Sequence, residues 1–259
     1  LRLNKNNYEA VLFHQLAYAF GLKINAENFK QLAESLDFSV VNKIRQNQTQ
    51  LEALFFGVCG WLAKPEDEQM KIWKREFDFL TVKYQLPTLK ITPKFSKLRP
   101  PNFPTVRLSQ LASLYYLNQN LFSKLVLVKN INDIKSIFNS VKASEYWDNR
   151  FNFGKISPVV GEKFLTEEFI NLILINTVLP FKYTYHKNAN QHISDEILDF
   201  YRAINPEKNT TTENWKSLNV KMNNALESQA FIYHYKNFCE KKNCLNCSIG
   251  YRLLGVKNP

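Results

Sequence analysis

The chain has 259 residues, 45% of them hydrophobic and 14% aromatic, which is enough for a packed core in one large domain or two small ones. Only 7 glycines argue against a turn-rich β-sandwich or barrel, and the residue mix favours helices. The net charge is +11 and unevenly spread: residues 1–85 carry 11 Lys/Arg against 10 Asp/Glu, whereas the remainder carries 23 against 13.

The predicted elements follow in chain order. Tyr8, Leu12, Leu16 and Ala19 recur at helical spacing over 8–20, and Gly21 is a good residue to end that helix. Asn25 can cap a second helix carrying Phe29, Leu32, Ala33 and Leu36, and Asp37 can start a short third one. Thr49-Gln50-Leu51-Glu52 matches a capping box, with Leu54, Phe55 and Val58 in the helix behind it. Pro65 followed by Glu66, Asp67 and Glu68 marks a helix start, because acids suit the positive N-terminal end of the helix dipole. That helix runs to about Tyr84, with Ile72, Trp73, Phe77 and Leu80 near one side.

Five prolines then fall between Pro87 and Pro104, predicting an extended connector over 86–104. A helix follows Pro104, carrying Val106, Leu108, Leu111 and Leu114, and further helices are predicted at about 120–128 and 131–141. Residues 144–162 look irregular. Thr166 caps an apolar helix expected to end at Pro180, Ser194 caps another, and Thr210-Thr211-Thr212-Glu213 is a second capping box. A last long helix is predicted over 223–239, with a short one after Cys247. The expected fold is therefore all-α: a helical lobe over 1–85, the connector, and a second lobe over 105–259, or all of these in one continuous domain.

No segment has the pattern of a signal peptide. The longest apolar run, Phe169 to Phe181, contains Asn171 and Asn176 and is shorter than the roughly 20 residues that cross a bilayer. Four cysteines in a chain this long do not make a secreted disulfide scaffold. A cytoplasmic protein with reduced thiols and no membrane attachment is the expectation.

Two places could carry chemistry. Between Asp78 and Asp133 there is no acid, while Lys83, Lys90, Lys94, Lys97, Arg99, Arg107, Lys124 and Lys129 all lie there. Such a stretch is either an electrostatic footprint for phosphate or a set of solvated lysines with acids nearby in space. Within it, Arg107 breaks a local rule, since a cation in the first turn of a helix opposes the dipole. Either an anionic ligand held with Arg99, or a carboxylate from elsewhere in the fold, would compensate.

The second place is Cys239, Cys244 and Cys247, at C-x4-C-x2-C spacing. Three clustered thiolates can hold zinc or an iron–sulfur cluster, or can form a disulfide or simply pack a corner. A fourth ligand is missing. On an α-helix His234 points about 140° away from Cys239, and Cys59 sits in the apolar run Phe55-Phe56-Gly57-Val58-Cys59. His14 reads as a core histidine in an apolar helix, and His186 and His192 as exposed in a polar loop. No Walker loop, HExxH, GxGxxG or GxSxG is present.

Several segments together resemble an uncharacterised bacterial family, the domain of unknown function 2851. They are Phe20-Gly21-Leu22-Lys23-Ile24-Asn25, Glu52-Ala53-Leu54-Phe55-Phe56-Gly57, Leu98-Arg99-Pro100-Pro101-Asn102-Phe103-Pro104, Tyr146-Trp147, Asn176-Thr177-Val178-Leu179-Pro180, Glu207-Lys208-Asn209, Ser228-Gln229-Ala230, and the cysteine run with Ile249-Gly250. The family pattern includes the two arginines and the three cysteines but usually no cysteine in place of Cys59. The resemblance implies a longer protein, of which this chain, starting at Leu1, is the C-terminal helical portion, and further implies acid and histidine motifs of nuclease-like character in the part before it. The functional expectation is a nucleic-acid- or phosphate-binding module accompanying a catalytic part outside this chain, with Lys94, Lys97, Arg99 and Arg107 as the anion contacts, the three cysteines as a zinc or iron–sulfur corner, and DNA or RNA as the partner. The alternatives are a protein-interaction scaffold, which predicts an exposed apolar patch, and an enzyme with its site where Arg99 or Arg107 meets a carboxylate or His.

Overall fold

The computed structural model describes residues 7–253. The fold is all-α and multi-helical, and among the described residues its one sheet is a two-stranded hairpin. The chain divides into two compact units, the first ending at Asn190 and the second starting at Gln191.

In the first unit, α1 (Tyr8–Phe20) turns at once into α2 (Leu22–Glu34). Gly21 has φ −67°, and it is Leu22 that takes the left-handed φ of 51°. Asn25 does not cap α2. It lies inside that helix, 2% exposed, because its amide is used elsewhere, as described below. Asp37 caps α3 (Phe38–Ile44), its carboxylate accepting from the Ser39 N–H. α4 (Gln48–Val58) is capped by Asn47, which accepts from the Gln50 N–H at 3.1 Å. The helix therefore starts before Thr49, and Glu52, taken in the sequence as part of a capping box, is carried into the interior.

α5 (Glu68–Tyr84) begins at Asp67, which accepts from the Met70 N–H at 2.9 Å. Met70, Trp73, Phe77 and Leu80 form its buried face at three- and four-residue spacing, while Ile72 is 37% exposed. α4 and α5 approach so closely at Gly57 that a Cβ there would overlap the Phe77 ring. Gly57→Ala is expected to lower stability by about 2 kcal/mol through overpacking, and a urea melt with an unchanged midpoint would refute the close approach.

Residues 86–99 form neither helix nor strand and include a turn at 96–97, and the proline-rich segment lies within the first unit, where α4 and α6 (Pro104–Leu117), from either side of it, pack together. α6 is the central helix of this unit, buried from Pro104 to Tyr115 and packed against α1 as well. α7 (Leu121–Leu127) and α8 (Ile131–Asn139) follow, then a hairpin of β1 (Arg150–Asn152) and β2 (Lys155–Ile156), paired antiparallel within the segment read as irregular.

α9 (Glu167–Ile173), capped by Thr166, does not stop at Pro180. A π-helical stretch over Leu174–Val178 joins it to α10 (Leu179–Asn188). The π-turn shifts the hydrogen-bond register, so the missing N–H and the ring of Pro180 are accommodated without breaking the rod. α10 places Lys182 in the interior, where its ammonium donates to the Val126 and Val128 carbonyl oxygens at 2.6 and 2.7 Å and so closes the C-terminal end of α7. His186 belongs to α10 rather than to a loop, its Nε2 lying 3.1 Å from the Val126 oxygen.

The second unit contains α11 (Ser194–Arg202), α12 (Thr210–Ser217), α13 (Ala225–His234) and α14 (Ser248–Leu253). Ser194 is the first helical residue of α11, with no side-chain cap before it. The α12 capping box is shifted by one residue from its expected place, pairing Asn209 with Thr212. α13 packs on α11 and α12 and continues as a π-helical stretch over Tyr235–Cys239. Ser228, fully buried on α13, accepts from the Glu207 N–H, and Gln229 donates to the Glu207 carboxylate at 2.8 Å. Two of the segments that carried the family resemblance thus meet in a scaffold contact.

Candidate functional site

The segment before α6 is held at many points. The Asn25 amide donates to the Lys94 carbonyl at 2.8 Å and accepts from the Lys94 N–H at 2.9 Å, imitating a strand partner. Asn28 donates to the Thr92 carbonyl, Trp61 Nε1 to the Ile91 carbonyl, and the Leu89 and Ile91 N–H groups donate to the Val58 and Cys59 carbonyls. A turn closed by the Leu98 N–H on the Phe95 carbonyl then carries Lys97 at φ 63°, a left-handed position that normally favours glycine or asparagine. Lys90, Lys94, Lys97 and Arg99 are exposed, and none of them makes an ion pair among the described residues.

Arg107 is different. It is 2% exposed, its guanidinium lies 3.5 Å above the Phe169 ring, and it donates to the side-chain oxygens of Gln110, at 2.9 Å, and Asn102. Gln110 is itself held by donating to the Lys163 carbonyl at 2.7 Å. Burial lowers the guanidinium's proton affinity to about 9, so it stays charged at neutral pH. The compensation for a cation in the first turn of α6 is therefore an aromatic face and two amide oxygens, neither a carboxylate nor a surface ligand. Arg107 joins α6 to the turn at 100–102 and does not stand with Lys94, Lys97 and Arg99 at the surface. Among the described residues neither Arg99 nor Arg107 makes an ion pair with a carboxylate.

Glu52 is the buried acid that sequence reasoning passed over. It is 2% exposed, and Ser109 and Ser144 donate to its Oε1 at 2.5 and 2.8 Å. The Trp73 and Trp147 indole N–H groups also favour its charged form, though neither makes a well-formed hydrogen bond. Burial outweighs all four and raises the carboxyl to about 7. Glu52 and Ser144 contribute to the wall of a cleft of about 420 Å³ that Gln48, Thr49, Tyr116 and Tyr146 also line. The clue available in the sequence was a glutamate inside a run of otherwise apolar residues, Leu51 to Val58.

The model of the family described as "protein of unknown function (DUF2851)" matches residues 1–210. The chain belongs to the DUF2851 family. No curated protein and no solved structure matched in the comparisons. The DUF2851 match takes in the whole first unit, including the basic segment and Glu52, and ends before the cysteines.

In the second unit Cys239, Cys244 and Cys247 are all free thiols, the first two exposed and the third buried. Cys239 ends the π-helical stretch, and Cys244 and Cys247 flank a 3-10 turn over Cys244–Asn246. Among the described residues, no three His, Cys, Asp or Glu side chains stand as a metal-holding group. Cys59 is buried in the first unit and its thiol is pushed up by burial, which makes it an inert core group. His14 is half-buried, and burial lowers its pKa.

Proposed function

We propose that this chain is a helical nucleic-acid-binding module that contacts the phosphate backbone through Lys94, Lys97 and Arg99. The carrying observation is that these cations are exposed and make no ion pair among the described residues, with the backbone at Lys94 fixed by the Asn25 amide. A solvated lysine-rich face would normally intermix acids, and the sequence has none between Asp78 and Asp133. Lys97 holds a strained turn position that glycine would fill more easily, a departure from local preference that functional sites commonly show. The half-buried rings of Phe95 and Phe103, 4.9 Å apart in the same stretch, add apolar surface against which bases could rest.

Fluorescence anisotropy with labelled duplex DNA, single-stranded DNA and RNA over a range of KCl concentrations tests this reading. Affinity is expected at low salt and to fall as salt rises, and the triple variant K94A/K97A/R99A is expected to reduce the slope of log K against log salt by about 3 for duplex DNA. No detectable binding at low salt, or a triple variant with the wild-type slope, would sink the proposal. A scaffold role finds its support in Phe79 and Val82, 55% and 86% exposed one turn apart on α5. In that case the salt series is flat.

A further inference from the structure

An ordinary α-helix would separate His234 from Cys239, and that separation denied the cysteines a fourth ligand. The helix is not ordinary there. Tyr235–Cys239 is π-helical, with the Glu240 N–H bonded to the Tyr235 carbonyl and the Asn243 N–H to the Phe238 carbonyl, each at 2.8 Å. Bonds that span five residues bring positions five apart back to one side of the helix, which is the spacing of His234 and Cys239. The chain then reverses through Lys242, at φ 53°, and brings the C-x2-C turn back against α13. His234 Nε2 ends 3.4 Å from Cys247 Sγ.

Other contacts prepare the corner. The His234 ring is stacked on Phe238, with centroids 5.0 Å apart, and meets Trp215 edge-on, so its orientation is fixed. The Gly250 N–H donates to Cys247 Sγ at 3.5 Å, a contact that stabilises a thiolate. A Cβ at Gly250 would collide with the Cys244 carbonyl oxygen, so the close return of α14 over the turn requires glycine.

We infer that Cys239, Cys244, Cys247 and His234 form a tetrahedral zinc site closing the second unit. Three thiolates and one imidazole are a zinc donor set, whereas an iron–sulfur cluster usually takes four cysteines. His234 and Cys247 are already in contact, while among the described residues no three of the donors stand as a metal-holding group. Cys239 and Cys244 are exposed free thiols that can turn inward by rotation about Cα–Cβ. Binding releases the thiol protons to solvent as each sulfur takes up the metal, with no redox change.

The test uses the untagged full chain, reduced and freed of metal with a chelator, then titrated with Co²⁺ and with Zn²⁺. One equivalent of Co²⁺ is expected to give the visible bands of a tetrahedral thiolate site, and Zn²⁺ to displace it. X-ray absorption on the zinc-loaded wild type is expected to show three sulfurs at about 2.3 Å and one nitrogen at about 2.0 Å. His234→Ala is expected to weaken cobalt binding at least about tenfold and to alter the bands, and Cys244→Ser to abolish the tetrahedral spectrum, with Cys59→Ser unchanged. Absence of a stoichiometric tetrahedral site in the wild type overturns the inference. So does a zinc shell without three sulfurs and one nitrogen, or a His234→Ala variant that binds like wild type. The wild-type absorption measurement stands even if a cysteine variant fails to fold.

Discussion

Raising the pH from 5 to 8 is expected to destabilise this protein through Glu52, and Glu52→Gln is expected to flatten that dependence. The Glu52 carboxyl is raised from an ordinary value of 4.5 to about 7, chiefly by burial. Between those values the folded chain keeps a proton that the unfolded chain releases, so stability falls as pH rises. The contribution is fully present below about pH 4.5 and is lost as pH rises through about 7, amounting to about 3 kcal/mol. The Ser109 and Ser144 hydroxyls limit the loss, because both can donate to the ionised group. Urea melts of wild type and Glu52→Gln at pH 5 and pH 8 isolate this carboxyl from the other titrating groups. Equal pH dependence in the two proteins would show that Glu52 does not titrate between them. Glu52→Ala should be the worse variant at either pH, since it leaves the Ser109 and Ser144 hydroxyls without their acceptor.

Arg107 offers the second large effect. Arg107→Ala is expected to cost about 3 kcal/mol, because it removes the ring contact with Phe169 and strands the side-chain oxygens of Gln110 and Asn102. Arg107→Met should recover about half of that, since methionine refills the volume and no carboxylate is left behind as an unpaired charge. Lysine keeps the charge but lacks the planar fork that reaches both amides, so it should fall below methionine. An order with lysine best would mean that charge, not shape, is what the site needs. If the chain binds nucleic acid as proposed, Arg107→Met should keep the wild-type salt slope, in contrast to the surface triple variant.

These two residues show what the sequence could disclose. Helix existence followed from apolar spacing: Met70, Trp73, Phe77 and Leu80 need only the 3.6-residue period, and Asp67 only the adjacent N–H groups. Local signatures misled where a side chain had a distant partner. Asn25 looks like a cap until the Lys94 backbone arrives from 69 residues away to take both ends of its amide. Thr49 and Glu52 have capping-box spacing, yet Glu52 bonds to Ser109 and Ser144, 57 and 92 residues on. For Arg107 the broken dipole rule correctly announced a compensating partner, but not that the partner would be a ring and two amides. The π-turns carry no composition code, so neither the continuation through Pro180 nor the approach of His234 to Cys247 could be read from spacing.

The amide of Asn25 has one more consequence, for the cost of association. A proline-rich tether bearing lysines would have to surrender its backbone freedom on meeting a partner, about 1–2 kcal/mol for each residue ordered. Here the backbone at Lys94 is already immobilised by two hydrogen bonds from Asn25. Any ligand of this segment would therefore meet charges set out in advance and restrict only side-chain rotamers, leaving more of each contact as net affinity.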